Sequence, residues 1–152
     1  MAGSLYLADT NILIRLVKQD HPEYPLVRGV VSALRLKGIK LGYTMQNMAE
    51  FWNASTRPRE RNGFGLTVEE TEANACEIEK AFVFLADSES IYREGRKLVV
   101  QHSVSGAQVH DARLAASMLV HGIDHILTFN VSDFTRFRSL VAIHPSEAAL
   151  KQ

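Results

Sequence analysis

The sequence predicts an α/β fold, with a central parallel sheet of four to five strands flanked by helices. Two observations predict it. Short apolar runs alternate with segments of helical periodicity, and that order argues for a parallel sheet. Two of the runs, Leu5 to Ala8 and His125 to Phe129, also end abruptly in polar side chains: Asp9-Thr10-Asn11 after the first, Asn130 to Asp133 after the second. A continuous apolar run reads as a strand buried on both faces. Open α/β sheets take their ligands beside the carboxyl ends of such strands. Asp9 is also placed to do no more than cap the helix that follows, and this stretch alone leaves both readings open.

Taken in order, the first strand leads into a helix over Ile12 to Val17, which His21-Pro22-Glu23-Tyr24-Pro25 breaks. A second helix covers Leu26 to Leu36 and ends at Gly38. A short strand follows over Ile39 to Tyr43, and Thr44 caps a third helix, Met45 to Ala54. On that helix Met45, Met48, Ala49 and Trp52 form one apolar stripe. Glu50 lies about 140° from Met45 at 100° per residue, facing either solvent or a cleft. The segment 55–65 reads as a loop, with its prolines, glycines and an Asn-Gly pair. It carries Arg57, Arg59 and Arg61, the densest basic cluster in the chain. The loop is either simply solvated or a phosphate-contacting element, since guanidinium groups bind phosphate oxygens bidentately.

Thr67 and Glu70 have the spacing of a capping box and open a fourth helix. Its expected inner stripe is Val68, Thr71, Ala75, Ile78 and Phe82, with its many glutamates on a solvated face. Val83-Phe84-Leu85 is a short strand. Ser88 or Ser90 caps a helix that runs to about His102, with Ile91, Gly95 and Leu98 inward. After a loop at 104–108, a sixth helix begins at Val109 and ends at Gly122. Asp111 aligns with Ala115 and Met118 on its inward side. After the strand at His125 to Phe129, Ser132 or Asp133 caps a short helix. A last strand covers Leu140 to Ile143, and the tail from Pro145 is a helical turn or mobile.

Composition sets the outer limits. The chain has 152 residues, 46% hydrophobic and 22% charged, which suits one globular domain with one sizeable core. Its 17 basic and 17 acidic side chains cancel, so a strongly basic, non-specific nucleic-acid binder is excluded while a local basic patch is not. The one cysteine, Cys76, rules out an intrachain disulfide and suits a reducing cytosol. The N-terminus carries no recognisable leader, and no apolar run approaches the roughly 20 residues that span a bilayer. There is no Walker A loop, no G-x-G-x-x-G, and no Cys/His spacing that suits zinc. His110 is the only histidine beside a candidate acid.

What remains is a set of oxygen-bearing side chains: Asp9, Glu50, Asp111 and Asp133, with Thr10, Asn11, Thr128 and Asn130. Carboxylates crowded into one crevice raise one another's pKa, and a hard divalent cation relieves the repulsion. Mg²⁺ prefers oxygen ligands and bridges to phosphates, which points to metal-assisted phosphodiester hydrolysis.

The same residues carry a resemblance. Asp9-Thr10-Asn11, Glu50 within Met48-Ala49-Glu50-Phe51-Trp52-Asn53, Thr56-Arg57-Pro58 with Asn62-Gly63-Phe64-Gly65, Val109-His110-Asp111-Ala112-Arg113, and Leu127-Thr128-Phe129-Asn130 with Asp133-Phe134 occur in this order over nearly the whole chain. Together they resemble PIN-domain ribonucleases of the VapC toxin group. The resemblance implies a PIN-like fold, a single nuclease domain over 1–145 with a tail at 146–152, and Mg²⁺- or Mn²⁺-dependent endoribonuclease activity. It implies an acidic quartet of Asp9, Glu50, Asp111 and Asp133, with Asp9, Asp111 and Asp133 on the metal. Thr10, Asn11, Thr128 and Asn130 would support them, and Asn130 competes with Asp133 for the fourth position. RNA, a cognate antitoxin and a second copy of the chain are the implied partners, in the cytoplasm and away from membranes. Arg57, Arg59 and Arg61 are the expected RNA contacts. Two other readings stand beside this one. A non-catalytic RNA-binding module would not need all four acids. A phosphoryl-transfer enzyme with Asp9 as nucleophile would need a second Asp where this chain has Asn11.

Overall fold

This computed structural model describes residues 4–150. Met1 to Gly3 and Lys151 to Gln152, to which the readings of the N-terminus and of the tail extend, lie outside the described residues. Five strands form one sheet: β1 (Leu5–Ala8), β2 (Lys40–Thr44), β3 (Val83–Leu85), β4 (His125–Leu127) and β5 (Val141–Ile143). Their order is β3-β2-β1-β4-β5 and every pairing is parallel. The helices are α1 (Thr10–Val17), α2 (Tyr24–Leu36), α3 (Met45–Thr56), α4 (Val68–Ala81), α5 (Glu89–Gln101), α6 (Val109–Val120) and α7 (Pro145–Leu150). Single 3-10 turns occupy Arg59–Arg61, Gly106–Gln108 and Val131–Phe134. The tail is thus a helical turn as far as Leu150.

Strand alternation divides the core into two layers. Leu7 and Ile126 face α5 and α6, where Ala112, Ala115, Ala116 and Met118 pack with Phe134 and Phe137. Their neighbours Ala8 and Leu127 face the other way, onto Ile12, Leu13, Val27, Val30 and Phe51 of α1, α2 and α3. Leu7, Leu127, Ile12 and Phe51 are wholly buried. Each such side chain removed from water contributes about 1.5–3 kcal/mol. The period of two along β1 and β4 therefore fixes which helices lie on which face.

Local signals set most element boundaries. Thr67 and Glu70 make the expected capping box at α4. Ser88, rather than Ser90, caps α5. Helix α2 starts two residues earlier than expected, because Pro25 fits its first turn, where no amide donor is needed. Strand β4 stops at Leu127, not Phe129. Neither Ser132 nor Asp133 caps a helix; both lie within the 3-10 turn Val131–Phe134.

Two expected apolar stripes are corrected. On α3, Met45 is 54% exposed and Ala49 is exposed, while Gln46, Asn47, Phe51 and Ser55 are buried. On α4, Val68 is 62% exposed, although Thr71, Ala75, Ile78 and Phe82 do face the core. Val68 opens the first turn and lies beyond the layer that the later turns cover. On α3 the physical reason is different: Gln46 and Asn47 are buried because each finds hydrogen-bond partners at the mouth of the sheet.

Candidate active site

From β1 the chain moves outward to β2 and β3, then crosses back to β4 and β5 on the other side. The order reverses between β1 and β4, and the carboxyl ends of these two strands flank a crevice. Asp9 follows β1 and Thr128 follows β4.

Asp9 is only 8% exposed. Its backbone N–H donates to the Leu127 carbonyl at 3.0 Å, which continues the ladder past the strand ends. One carboxylate oxygen, Oδ1, accepts the Thr10 N–H at 2.8 Å. The other, Oδ2, accepts the Thr128 hydroxyl at 2.7 Å. Asp9 is therefore both the N-cap of α1 and a buried acid at the switch point, so the two readings of this residue coexist. The Thr128 oxygen in turn accepts the Asn130 N–H at 2.9 Å. Asn11 Oδ1 accepts the Phe129 N–H at 3.3 Å, tying the exit of β4 to α1.

The α3 side is built from buried polar groups. Thr10 Oγ1 donates to Glu50 Oε2 at 2.7 Å and accepts from Asn47 Nδ2 at 3.1 Å. Asn47, wholly buried, closes a capping box with Thr44. Gln46 Nε2 donates both to Glu50 Oε1 and to the His110 carbonyl, each at 3.0 Å. The reversed amide would set oxygen against a carboxylate and a carbonyl, so these partners fix its orientation. Gln46 thereby ties α3 to the first turn of α6, which carries Asp111. Its own Oε1 is buried without a partner.

Electrostatics join the fourth acid to this group. Burial pushes Asp9 above the usual carboxylate range; the Thr128 and Thr10 hydrogen bonds oppose the rise, and the charges of Glu50 and Asp133 add to it. Asp111 is pushed up to about 6, first by burial, then by Asp133, Asp9 and Glu50, with His110 opposing. Asp133 is exposed on its 3-10 turn, yet its charge reaches both aspartates. Asn130 is also exposed and enters the network through its backbone. The charges of Glu50 and Asp133 thus act on both Asp9 and Asp111. Among the described residues, no three carboxylates or imidazoles are arranged as a ready-made cation cage. Both oxygens of Asp9 and of Glu50 are held by protein donors.

The arginine loop is built differently. It leaves α3 at Thr56, six residues beyond Glu50, or about 9 Å at 1.5 Å per residue. Arg57 Nη2 donates to the Asn62 carbonyl at 3.0 Å, and its Nε is buried without a partner. Arg59 and Arg61 are exposed on the 3-10 turn. Thr56, Pro58, Arg59, Glu60 and Gly65 line a cleft of their own, of about 410 Å³, which contains none of the four acids.

Sequence reasoning missed Gln46 and Asn47. Asn47 carried a signal, since it stands three residues after the cap Thr44 and is able to return the bond. Gln46 carried none.

Comparison with known proteins agrees with this architecture. The profile of the PIN domain matches residues 6–139. No curated protein matches. The solved VapBC2 complex of Rickettsia felis bound to promoter DNA has a TM-score of 0.69 at 14% identity, covering 92% of this chain and 98% of that one. The VapBC-1 structure of nontypeable Haemophilus influenzae gives 0.62 at 19%, covering 93% and 98%. VapC20 of Mycobacterium tuberculosis, described as a toxin that cleaves the sarcin-ricin loop, gives 0.57 at 14%, covering 81% and 87%. At these identities the solved structures share the fold; the profile, matching residues 6–139, establishes that the chain belongs to the PIN domain family.

Proposed function

We propose that this protein is a divalent-metal-dependent endoribonuclease, the toxin of a type II toxin–antitoxin pair. The observation that carries the reading is a buried Asp9 at the sheet's switch point, with Glu50 bonded to its neighbour Thr10 and the Asp111-bearing turn tied in through Gln46. Membership of the PIN family and the likeness of fold to VapBC structures support it.

The donor set fits a hard dication. It consists of carboxylate oxygens with threonine and asparagine oxygens beside them, and no sulfur. Among the described residues none of the four acids pairs with a lysine or arginine, so their charge is left for a cation to balance. Asp9 and Asp111 would be the main ligands. Asp133, whose charge reaches both, would complete the set in preference to Asn130. Mg²⁺ or Mn²⁺, when bound there, supplies charge compensation for the phosphoryl oxygens and acidifies water. Glu50, held by Thr10 and Gln46, orients the attacking water and accepts its proton. Thr128 and Thr10 fix the Asp9 and Glu50 carboxylates, and Asn11 holds the β4 exit in place. Residues 1–145 act as one nuclease domain, as a cytoplasmic homodimer silenced by a cognate antitoxin. Among the described residues no helix is long and apolar enough to cross a membrane.

The test is RNA cleavage with and without chelator, by wild type and by Asp9→Asn. Cleavage should require the cation and vanish in the variant, because an amide is a poorer ligand for a hard ion. Wild-type rates in the variant, or in chelator, would sink the proposal. Loss of both metal binding and cleavage in wild type, with RNA binding kept, would favour the non-catalytic binding module.

A further inference from the structure

We infer that the substrate strand leaves the carboxylate crevice along a second cleft, in which Arg136 and Arg138 take its backbone phosphates. The inference rests on the ribonuclease reading and adds a path for the substrate to it. The cleft, of about 950 Å³, runs between the segment 132–139 and the C-terminal turn of α5. Ser132 and Thr135, the residues on either side of Asp133 and Phe134 in the chain, line it, although none of the four acids does. Arg136 reaches across: its Nη2 donates to Gln108 Oε1 at 2.7 Å. Gln108 immediately precedes α6 and lies three residues before Asp111; Asp133 lies three residues before Arg136. One guanidinium thus bridges the two segments that carry Asp111 and Asp133.

Its charge is available. The partner of Arg136 is a neutral amide, and Arg138 has no ion pair among the described residues. Glu94, the one acid lining the cleft, lies on α5 within 4.0 Å of Lys97. Around the arginines the walls supply His102, Gln101 and the hydroxyl of Ser139. Such a lining of cations and hydroxyls suits phosphate oxygens. Leu98, Leu119 and Phe137 complete the lining. The chain as a whole is neutral, so phosphates approaching four carboxylates require a local cationic guide. The 59–61 arginines stand on their own loop, whereas Arg136 is bonded to Gln108, three residues before Asp111.

The experiment uses the full chain in an Asp9→Asn background, which keeps the cleft but does not cut. A fluorescent single-stranded RNA is titrated at several salt concentrations, with and without Arg136→Gln and Arg138→Gln. The double change should weaken binding about tenfold and reduce the slope of log affinity against log salt by about 1.4, since each single-strand phosphate contact contributes about 0.7. Arg138→Gln alone, at an exposed position, should give half of that flattening and keeps the test valid if Arg136→Gln perturbs the fold. Photo-crosslinks from 4-thiouridine RNA should fall on the 132–139 peptide. An unchanged slope with RNA still bound overturns the cleft alone. Crosslinks confined to other segments would do so too. An Asp9→Asn protein that binds RNA at no salt concentration overturns the ribonuclease reading with it. Competition by an acidic peptide that outlasts high salt, with no competition by RNA, would reassign the cleft to a protein partner and overturn the inference.

Discussion

The carboxylate crevice and the arginine loop are the two charged regions that stand out in the sequence, and they are made in opposite ways. The crevice joins Asp9 and Glu50 through Thr10 and ties in the first turn of α6 through Gln46, and its hydrogen bonds join positions far apart in the chain. The loop gathers Arg57, Arg59 and Arg61 within five residues and turns inward: Arg57 bonds to Asn62, Gly63 N–H to the Pro58 carbonyl, and Gly65 N–H to the Arg57 carbonyl. Long-range convergence leaves charge uncompensated and poised for a ligand. Local contiguity mostly builds the loop itself. If that contrast holds, damage to the crevice removes activity at little cost in stability, and damage to the loop does the reverse.

The largest effect should come from Asp111→Asn. Cleavage should fall by more than about 100-fold, beyond the range seen when only the partners of metal ligands are changed. Thermal stability should move the other way. The folded state holds Asp111 at about 6 against an ordinary 3.8, so between those values it binds more protons than the unfolded chain. Its contribution to stability is present below about pH 4 and is lost as pH rises through 6. Melting of the metal-free protein should therefore decline across that window, and the variant, neutral throughout, should decline less. Mg²⁺ should raise the wild-type melting temperature at pH 7 and leave that of the variant unmoved. Equal pH slopes for the two proteins would contradict the crowding of charge in the crevice.

Gly63→Ala probes the loop in the same terms. A Cβ at Gly63 would lie 1.8 Å from the Arg57 carbonyl oxygen, so the loop has to open. A cost of about 1–3 kcal/mol is expected for such overpacking, read as a lower melting temperature. Activity well below the transition should be nearly normal. A variant that is fully stable but inactive would reverse the comparison.

How much of this was legible in the sequence depends on where the information lies. The sheet and its flanking helices follow from apolar runs and turn residues, and the acids at strand ends are visible because a buried strand that stops at Asp9 or near Asp133 is an abrupt change of chemistry. Hydrophobic periodicity failed on α3, where Met45 is exposed and Gln46 and Asn47 are buried. A polar side chain is buried only where partners await it, and two of those partners, Thr10 and the His110 carbonyl, are brought by other elements. Nothing local to α3 announces them. The side on which the arginine loop would stand was similarly hidden, since it depends on the direction α3 takes from the sheet.

Gln46→Leu tests that hidden part at intermediate size. The change removes two donated hydrogen bonds, to Glu50 and to His110, and frees the first turn of α6 from α3. It also removes a buried Oε1 that has no partner, which offsets part of the loss. Stability should fall by about 1 kcal/mol or less, while the cleavage rate falls roughly 10–100-fold, as for other residues that orient ligand-bearing groups. Because Glu50 loses an orienting bond rather than its charge, kcat should drop with KM little changed. A loss confined to stability would make Gln46 a packing residue only.

The smallest effect belongs to Arg59→Ala with Arg61→Ala. Both guanidiniums are exposed, so folding should be nearly unaffected. Any role in RNA binding is electrostatic and long-range, because the loop starts about 9 Å past Glu50 along the helix. At physiological ionic strength the screening length is about 8 Å. The pair should then attract RNA weakly, with a modest loss of affinity that disappears as salt rises. The salt slope should flatten by less than it does on changing Arg136 and Arg138, and metal affinity should not change, since arginine does not ligate a cation. Arg57 stays out of this test because its side chain holds the loop to Asn62. Should the Arg59–Arg61 variant flatten the slope as much as the cleft variant does, the loop must fold over the crevice when RNA binds. The contrast between a converged site and a self-contained loop would then describe the free protein only.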